Sequence, residues 1–516
     1  MQKANSHAPS STGGRLASRA YRMFGTSFAK ASVSIRLSLV MGLACFGQHS
    51  IVVAQPPQTP QSDTPKAHVN VESFPINQTQ EMSLQVPLPQ VRLKSDRGAS
   101  TLQMISLPSD QPASSSDIIA RFALATGSPL PEGAKLIAHT DVKLLGKVGT
   151  PSPIPLSALG NDFPHGNGTP NDIITRYNLR GGNSTGALII IVDAYRYPTA
   201  ESDLAQFSQQ YDLPSCSVES GCLTIKLVDP ARTLPDTDPR VSDCGWSVES
   251  ALDLQWAHAI ARNAHLVLVE AASSDVKDLF AAIDTATLIA EQAGGGIVSL
   301  SWSIKEFDGE AAYDQHFISH DHVLYFGASG DQGGVVEYPA ASPFVIAVGG
   351  TMVARDQTNA IVSEVGWDLS GGGTSGKELR PSLQNILENI SSTTGRAAPD
   401  IAGPAGIDRN LDNGSPLFAG TVCSQKVAGW YAVGGTSLAT PIIAAAAALS
   451  LPKGASTAAL LANIYAQRKN PANVKDIVSG QAGSNFAKQW YDTVTGVGVP
   501  ASINFVLPMP AVPTPP

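Results

Sequence analysis

Charge is scarce in this chain of 516 residues: Asp, Glu, Lys and Arg together make up 15% of it, and the formal net charge is −9. No basic block stands out, which excludes nucleic acid as the principal partner. No period marks a repeat protein. Cysteine is rare, five residues in all, and none are spaced as the close paired ligands that a zinc site wants. Long apolar runs are missing too. The stretch Leu37 to Cys45 is too short for a membrane span, so stable membrane insertion is not expected. Glycine (46) and proline (37) are plentiful, which suits a loop-rich globular enzyme and excludes a coiled coil. The length suffices to bury a large core, and a monomer is expected.

The first 54 residues read as an export signal. Arg15, Arg19, Arg22, Lys30 and Arg36 precede the apolar stretch, and Val52-Val53-Ala54 offers a small-residue cleavage site. The expected location is therefore secreted or extracytoplasmic, with lipidation at the poor box Gly42-Leu43-Ala44-Cys45 a minor alternative. Residues 55–165, rich in Pro, Ser and Gln, read as a linker or short pro-region. Residues 166–505 form the globular domain, with organised structure from near Thr169, and 506–516 a proline-rich tail. Removing the signal leaves Cys216, Cys222, Cys244 and Cys423, which allow three pairings. A local Cys216–Cys222 bridge is preferred because Pro214 to Gly221 is turn-rich. Cys244 and Cys423 would then pair.

Within the domain, strand and helix patterns alternate. Uniformly apolar strands are expected at Ala187–Val192, His265–Glu270, Gly296–Ser301, Val323–Phe326 and Val345–Val348. Helices are expected at Thr199–Tyr211, Ser247–Asn263, Val276–Ala293 and near Gly309–His320. This alternation predicts an α/β fold, a mostly parallel central sheet with helices on both faces.

Three segments carry candidate chemistry. Gly434-Gly-Thr-Ser437-Leu-Ala-Thr-Pro441 turns tightly into an alanine-rich helix, placing Ser437 at a helix mouth beside free N–H groups. Pro441 is expected in the first turn. Ser437 reads equally as a nucleophile or as an N-cap. Glu249 and Asp253, four apart on the helix from Ser247, share one face. Two close carboxylates resist joint ionisation, so such a pair can serve as a base in acid; alone, it reads as two solvated surface acids. His258 lies nine residues beyond Glu249, about half a turn away at roughly 100° per residue, and faces elsewhere. Asp331 follows a strand in Phe326-Gly-Ala-Ser-Gly-Asp331, at the carboxyl end of the sheet where α/β active sites gather. Protonated there, it could donate to an oxyanion; alone, it reads as a turn residue.

In this order the three segments resemble the sedolisin family, the serine-carboxyl peptidases of subtilisin-like fold. Tyr338 to Thr351, Glu364-Val-Gly-Trp367, Gly371-Gly-Gly-Thr-Ser375 and Arg396-Ala-Ala-Pro-Asp400 extend the likeness over roughly Thr169 to Pro500. A subtilisin proper would carry His-Gly-Thr-His, which is absent. The resemblance implies Glu249 as base, Asp253 as its proton-sharing partner, Ser437 as nucleophile and Asp331 as oxyanion donor, acting on proteins or peptides. It also implies one calcium ion held by Asp476, Ile477, Lys488, Trp490 and Asp492, although relatives usually have glycine where Lys488 and Trp490 stand. Asp193 sits where a subtilisin keeps its triad aspartate and reads as structural or as a support behind the catalytic groups. Many relatives carry a large folded propeptide, for which the region before Thr169 looks too short and irregular, so activation by self-cleavage does not follow from the resemblance. The alternatives are a catalytically silent protein of this fold and an α/β-hydrolase esterase. The latter would need glycine at Ala439.

Overall fold

The computed structural model describes residues 139–140, 143–148, 168–228 and 245–509, apart from 319, 321, 357–359, 391, 407–413, 421–427 and 452–453. The expected export signal, Cys244, Cys423 and most of the proline-rich tail lie outside the described residues.

In chain order the strands are β1 (His139–Thr140), β2 (Lys143–Val148), β3 (Leu188–Ala194), β4 (Leu223–Leu227), β5 (His265–Ala271), β6 (Gly296–Leu300), β7 (Trp302–Lys305) and β8 (Val323–Ala328). They continue as β9 (Glu337–Tyr338), β10 (Ile346–Arg355), β11 (Ile361–Gly366), β12 (Gly373–Leu379), β13 (Gly395–Ala398), β14 (Ile401–Pro404), β15 (Ser415–Ala419) and β16 (Gly429–Gly434). The helices are α1 (Pro170–Arg176), α2 (Ala200–Gln210), α3 (Gly245–Ile260), α4 (Val276–Gln292), α5 (Thr436–Ala448) and α6 (Thr457–Gln467).

The main sheet runs β11-β10-β8-β6-β3-β5-β4, with β14 also paired to β10. All its pairings are parallel except β10 with β11. The alternation of β3 shows why the sheet needs cover on both faces. Ile189 and Ile191 enter one core with α2, α3 and α5; Ile190 and Val192 enter another with α4. The expected parallel α/β sheet is thus present.

Three local readings need correction. Pro441 lies in the second turn of α5, not the first. There it leaves the Ser437 carbonyl without a helical N–H, and Ser301 Oγ lies 3.4 Å from that oxygen. The segment expected as a helix near Gly309–His320 is a 3₁₀ helix, Glu310–His316. Ordered pairing also begins earlier than Thr169, at β1 and β2. Those short, mixed runs carry no apolar pattern of their own; they exist by pairing with β7 and β16.

Several family-like motifs prove to be joints of this frame. Arg396 and Asp400 form a fully buried ion pair at 2.6 Å. Asp400 also accepts the Ala347 N–H and the Tyr465 hydroxyl. Glu364 accepts from Tyr177 and Thr351. A Cβ on Gly371 would sit 1.9 Å from the Ser329 carbonyl oxygen, so the glycine run lets β12 approach the turn that ends in Asp331. Cys216 and Cys222 form the expected local disulfide.

Candidate active site

Helix α3 is not the two-faced surface helix that an isolated acid pair suggests. Trp246 to Ile260 are all buried, between the sheet and its outer neighbours. Gln255 fastens it by a two-way hydrogen bond with the Phe418 backbone, and Trp256 Nε1 donates to the Pro416 carbonyl. Glu249 and Asp253 are therefore wholly enclosed, which excludes the solvated-acid reading.

Helix α5 brings the serine to them. Gly435 at its N-cap has φ of +117°, in the region that favours glycine, and its N–H donates to the Ala405 carbonyl. The alanine run behind Ser437 lets α5 pack closely against α3, β10 and β14. Ser437 Oγ then lies 2.9 Å from Glu249 Oε2 and 2.9 Å from the Ser301 carbonyl oxygen. One hydroxyl hydrogen thus has two acceptors, of which only the carboxylate can take it away.

Asp253 stands one turn beyond Glu249 and accepts a 2.8 Å bond from Ser301 Oγ. Burial first, and the Asp193 carboxylate second, push Asp253 well above the usual carboxylate range, against the Ser301 hydrogen bond. Asp193, at the end of β3, is itself pushed up to about 7: burial raises it, a Ser250 hydrogen bond opposes, and Glu270 raises it further. Asp193 thus sits behind the site as expected, where its ionisation would raise Asp253 further.

Asp331 closes the site from the turn after β8. Its Oδ1 accepts the Thr436 N–H at 2.8 Å and the Thr436 hydroxyl at 3.0 Å, immediately before Ser437. The structure brings all four expected residues into one constellation. His258 is absent from it. Its Nε2 contacts the Pro214 carbonyl at 2.8 Å, beside the Cys216–Cys222 disulfide, which consumes both thiols of the cluster Cys216, Cys222, His258. Sequence reasoning missed Ser301 and Thr436. The signal for Ser301 was its place at the carboxyl end of β6; that for Thr436 was adjacency to the serine.

The suspected calcium residues meet in two pairs. Asp476 Oδ2 accepts the Trp490 N–H, and Asp492 Oδ2 accepts the Lys488 N–H. Asp476 Oδ1 is buried with no hydrogen-bond partner among the described residues. Trp490 adopts φ of +68°, the left-handed conformation that glycine takes easily. Trp490 thus takes a glycine-like conformation despite the bulky side chain; the two carboxylates are donors of the kind a hard cation takes, with Asp492 already accepting from Lys488, Val494 and Thr495.

A family model for the subtilase family matches residues 248–488. Kumamolisin of Bacillus sp. (strain MN-32) is 27% identical over 377 residues, 66% of this chain and 63% of that protein. Sedolisin of Pseudomonas sp. (strain 101) is 32% identical over 178 residues, 32% of this chain and 28% of that protein. Among solved structures, Pseudomonas sedolisin (serine-carboxyl proteinase), complexed with two molecules of pseudo-iodotyrostatin, matches with a TM-score of 0.50 and 24% identity. It covers 64% of this chain and 95% of that one, a likeness of fold. Over these spans the chain is similar to peptidases of the sedolisin family. It spans 63% of the length of kumamolisin.

Proposed function

We propose that the chain is a secreted serine-carboxyl endopeptidase that hydrolyses proteins or peptides in acid. The observation that carries this is the 2.9 Å hydrogen bond from Ser437 Oγ to Glu249 Oε2 inside a fully buried carboxylate cluster. Glu249 takes the Ser437 proton as Oγ attacks the scissile carbonyl, then returns it to the leaving amine. Asp253 holds a proton beside it, because burial makes its ionised form costly. On Asp331 the proton belongs on Oδ2, since Oδ1 already accepts twice from Thr436; from there it donates to the oxyanion. An unperturbed histidine would be charged in acid and could not serve as the base.

Asp476 and Asp492, with carbonyls of Ile477, Lys488 and Trp490, would hold one calcium ion. Bound there, calcium would supply structural cross-linking of the C-terminal loops and no chemistry at Ser437. Among the described residues no helix is long and apolar enough to cross a membrane.

The test is digestion of a denatured protein from acid to neutral pH by the parent, Ser437→Ala and Glu249→Ala. Acid-restricted cleavage lost in both variants is expected. Cleavage surviving in Ser437→Ala would remove the nucleophile assignment, and a folded, processed parent that cuts nothing would favour the silent scaffold.

A further inference from the structure

A second group of carboxyls is enclosed where the catalytic steps call for none. It lies between β12 and the 3₁₀ helix Glu310–His316 that follows β7. Glu310 has no exposed surface, and Glu378 is 4% exposed. Glu306 Oε1 accepts from Ser375 Oγ and its Oε2 accepts the Gly376 N–H at 3.2 Å, so β12 engages both oxygens. Glu310 Oε2 accepts the Phe307 N–H at 2.7 Å, and Asp314 Oδ1 accepts the Tyr338 hydroxyl at 3.0 Å. Glu310 lies within hydrogen-bonding reach of Glu306, and Glu378 within reach of Asp314. Two carboxylates cannot donate to each other. Glu310 Oε1 and Glu378 Oε1 are accordingly buried with no donor.

What these oxygens lack is a proton. Ionised together, the four acids would repel one another out of reach of water. The cations that bear on them are taken: Arg396 holds Asp400 at 2.6 Å, and Lys377 holds Asp308. Nor do the oxygens converge as metal ligands would. Among the described residues, the group with that geometry is Cys216, Cys222 and His258. A proton on Glu310 Oε1 and another on Glu378 Oε1 turn the repulsion into two carboxyl–carboxylate hydrogen bonds. Burial pushes Glu310 up to about 9, against the Phe307 N–H and with help from Glu306 and Glu378. Burial, then Asp314 and Glu306, push Glu378 up to about 8, with Arg396 opposing. Asp314 is raised by burial to about 6, against hydrogen bonds from Ser342, Tyr338 and Glu378 and the charge of Arg396.

The other side of this segment is fastened in the same sense. His316 Nδ1 lies 2.6 Å from Asp284 of α4, and His320 Nδ1 lies 2.8 Å from Glu291, attractions of charge only while the rings are protonated. Both strands that the acids join border the catalytic site. β7 begins one residue after Ser301, whose carbonyl accepts the Ser437 hydroxyl. β12 begins two residues after Gly371, whose N–H donates to the Gly330 carbonyl beside Asp331.

We propose that residues 306–316 form an acid latch: shared protons fasten β7 to β12 while the surroundings are acidic, and their loss toward alkaline pH frees both strands and silences the site ahead of global unfolding. The silencing rests on the serine-carboxylate reading above; the latch does not. Because Glu310 and Glu378 are raised in the closed latch, their contribution is complete below about pH 4, declines as pH rises and is gone by about 9. Each carboxyl freed by opening sheds its proton to water, so the open population grows about tenfold per pH unit for each proton shed.

Hydrogen exchange on full-length Ser437→Ala at about pH 5 and about pH 8, corrected for the intrinsic pH dependence of amide exchange, reads the latch without activity. Protection at 310–316 and 373–379 should fall at least about a hundredfold while β3 stays protected. Adding Glu310→Gln and Glu378→Gln should preserve it at the higher pH, because an amide donates the same bonds at every pH. If the double exchange does not fold, Glu310→Gln alone carries the comparison. In the parent background the same exchanges should move the neutral limit of protein digestion upward by about one pH unit. Protection that is equal at the two pH values, or lost equally with and without the glutamines, overturns the latch. A digestion limit that does not move overturns the silencing. A parent that digests nothing at any pH, with exchange as expected, supports the latch and removes the proposed function together with the silencing that rests on it.

Discussion

Exchanging Glu249 for Gln probes the proposed base with almost no change of shape. Ser437 Oγ donates to Glu249 Oε2 at 2.9 Å. The amide oxygen of Gln accepts the same bond but cannot take the proton. Ser437 should stay in place, because the Ser301 carbonyl oxygen holds the same hydroxyl at 2.9 Å. The fold should not weaken, since the change removes a buried carboxylate and adds no volume to a helix with no exposed site residue. General-base catalysis contributes roughly 10² to 10⁴ in rate. At about 1.4 kcal/mol per tenfold, the variant loses about 3–5 kcal/mol of transition-state stabilisation. That loss belongs in kcat, with KM nearly unchanged, because Glu249 holds a proton and not the substrate. Initial rates on an internally quenched peptide in acid, on processed enzyme with matching melting curves, measure both. A Gln variant within about threefold of the parent kcat would refute the assignment. So would a loss that travels with a large fall in Tm, which would make Glu249 a structural residue.

The Asp193 carboxyl, raised by burial to about 7, keeps its proton more tightly in the folded chain than in the unfolded one. Its stabilising contribution is therefore complete below about pH 4 and lost as pH rises through about 7, by at most about 4 kcal/mol; in a Ser437→Ala background Tm should fall across that window, and Asp193→Asn should flatten the fall. Asp400→Asn leaves the buried Arg396 guanidinium without its counter-charge at 2.6 Å, and urea denaturation should show a loss of about 3–5 kcal/mol; a loss under about 1 kcal/mol would mean the pair is relieved by water. Chelation should lower Tm in the parent and have no effect in Asp476→Asn, while an unchanged parent melting curve would remove calcium from Asp476 and Asp492.

Much of the frame was legible because strands such as β3 are apolar on both faces, which only a sheet covered on both sides can bury. The constellation was legible for a different reason. Glu249 and Asp253 share a face by helical spacing, and Gly434-Gly435 announces a turn just before Ser437. What stayed hidden depends on partners far along the chain. Ser301 meets Ser437 from 136 residues away, and nothing local in Ser299-Leu300-Ser301 says which carbonyl will face the nucleophile. The Pro441 expectation failed because a local rule about helix turns ignores a distant hydroxyl, that of Ser301, near the orphaned carbonyl. β1 and β2 were invisible because their order comes from β7 and β16, not from their own residues.

The same dependence on surroundings bears on the choice of base. A lone Glu-x-x-x-Asp is commonplace, and its chemistry comes from where the fold puts it. Enclosing α3 removes the water that would let both acids ionise, and Asp193, near the carboxyl end of β3, would add a further negative charge if it ionised as well. The low-energy state of such a cluster retains protons well above ordinary carboxylate values. Burial has the opposite effect on His258, on the other side of the helix, where it lowers the ring's pKa. The environment that makes carboxyls hold protons thus makes the histidine shed its own. A fold that buries this helix completely therefore favours acid groups as the proton carriers beside Ser437.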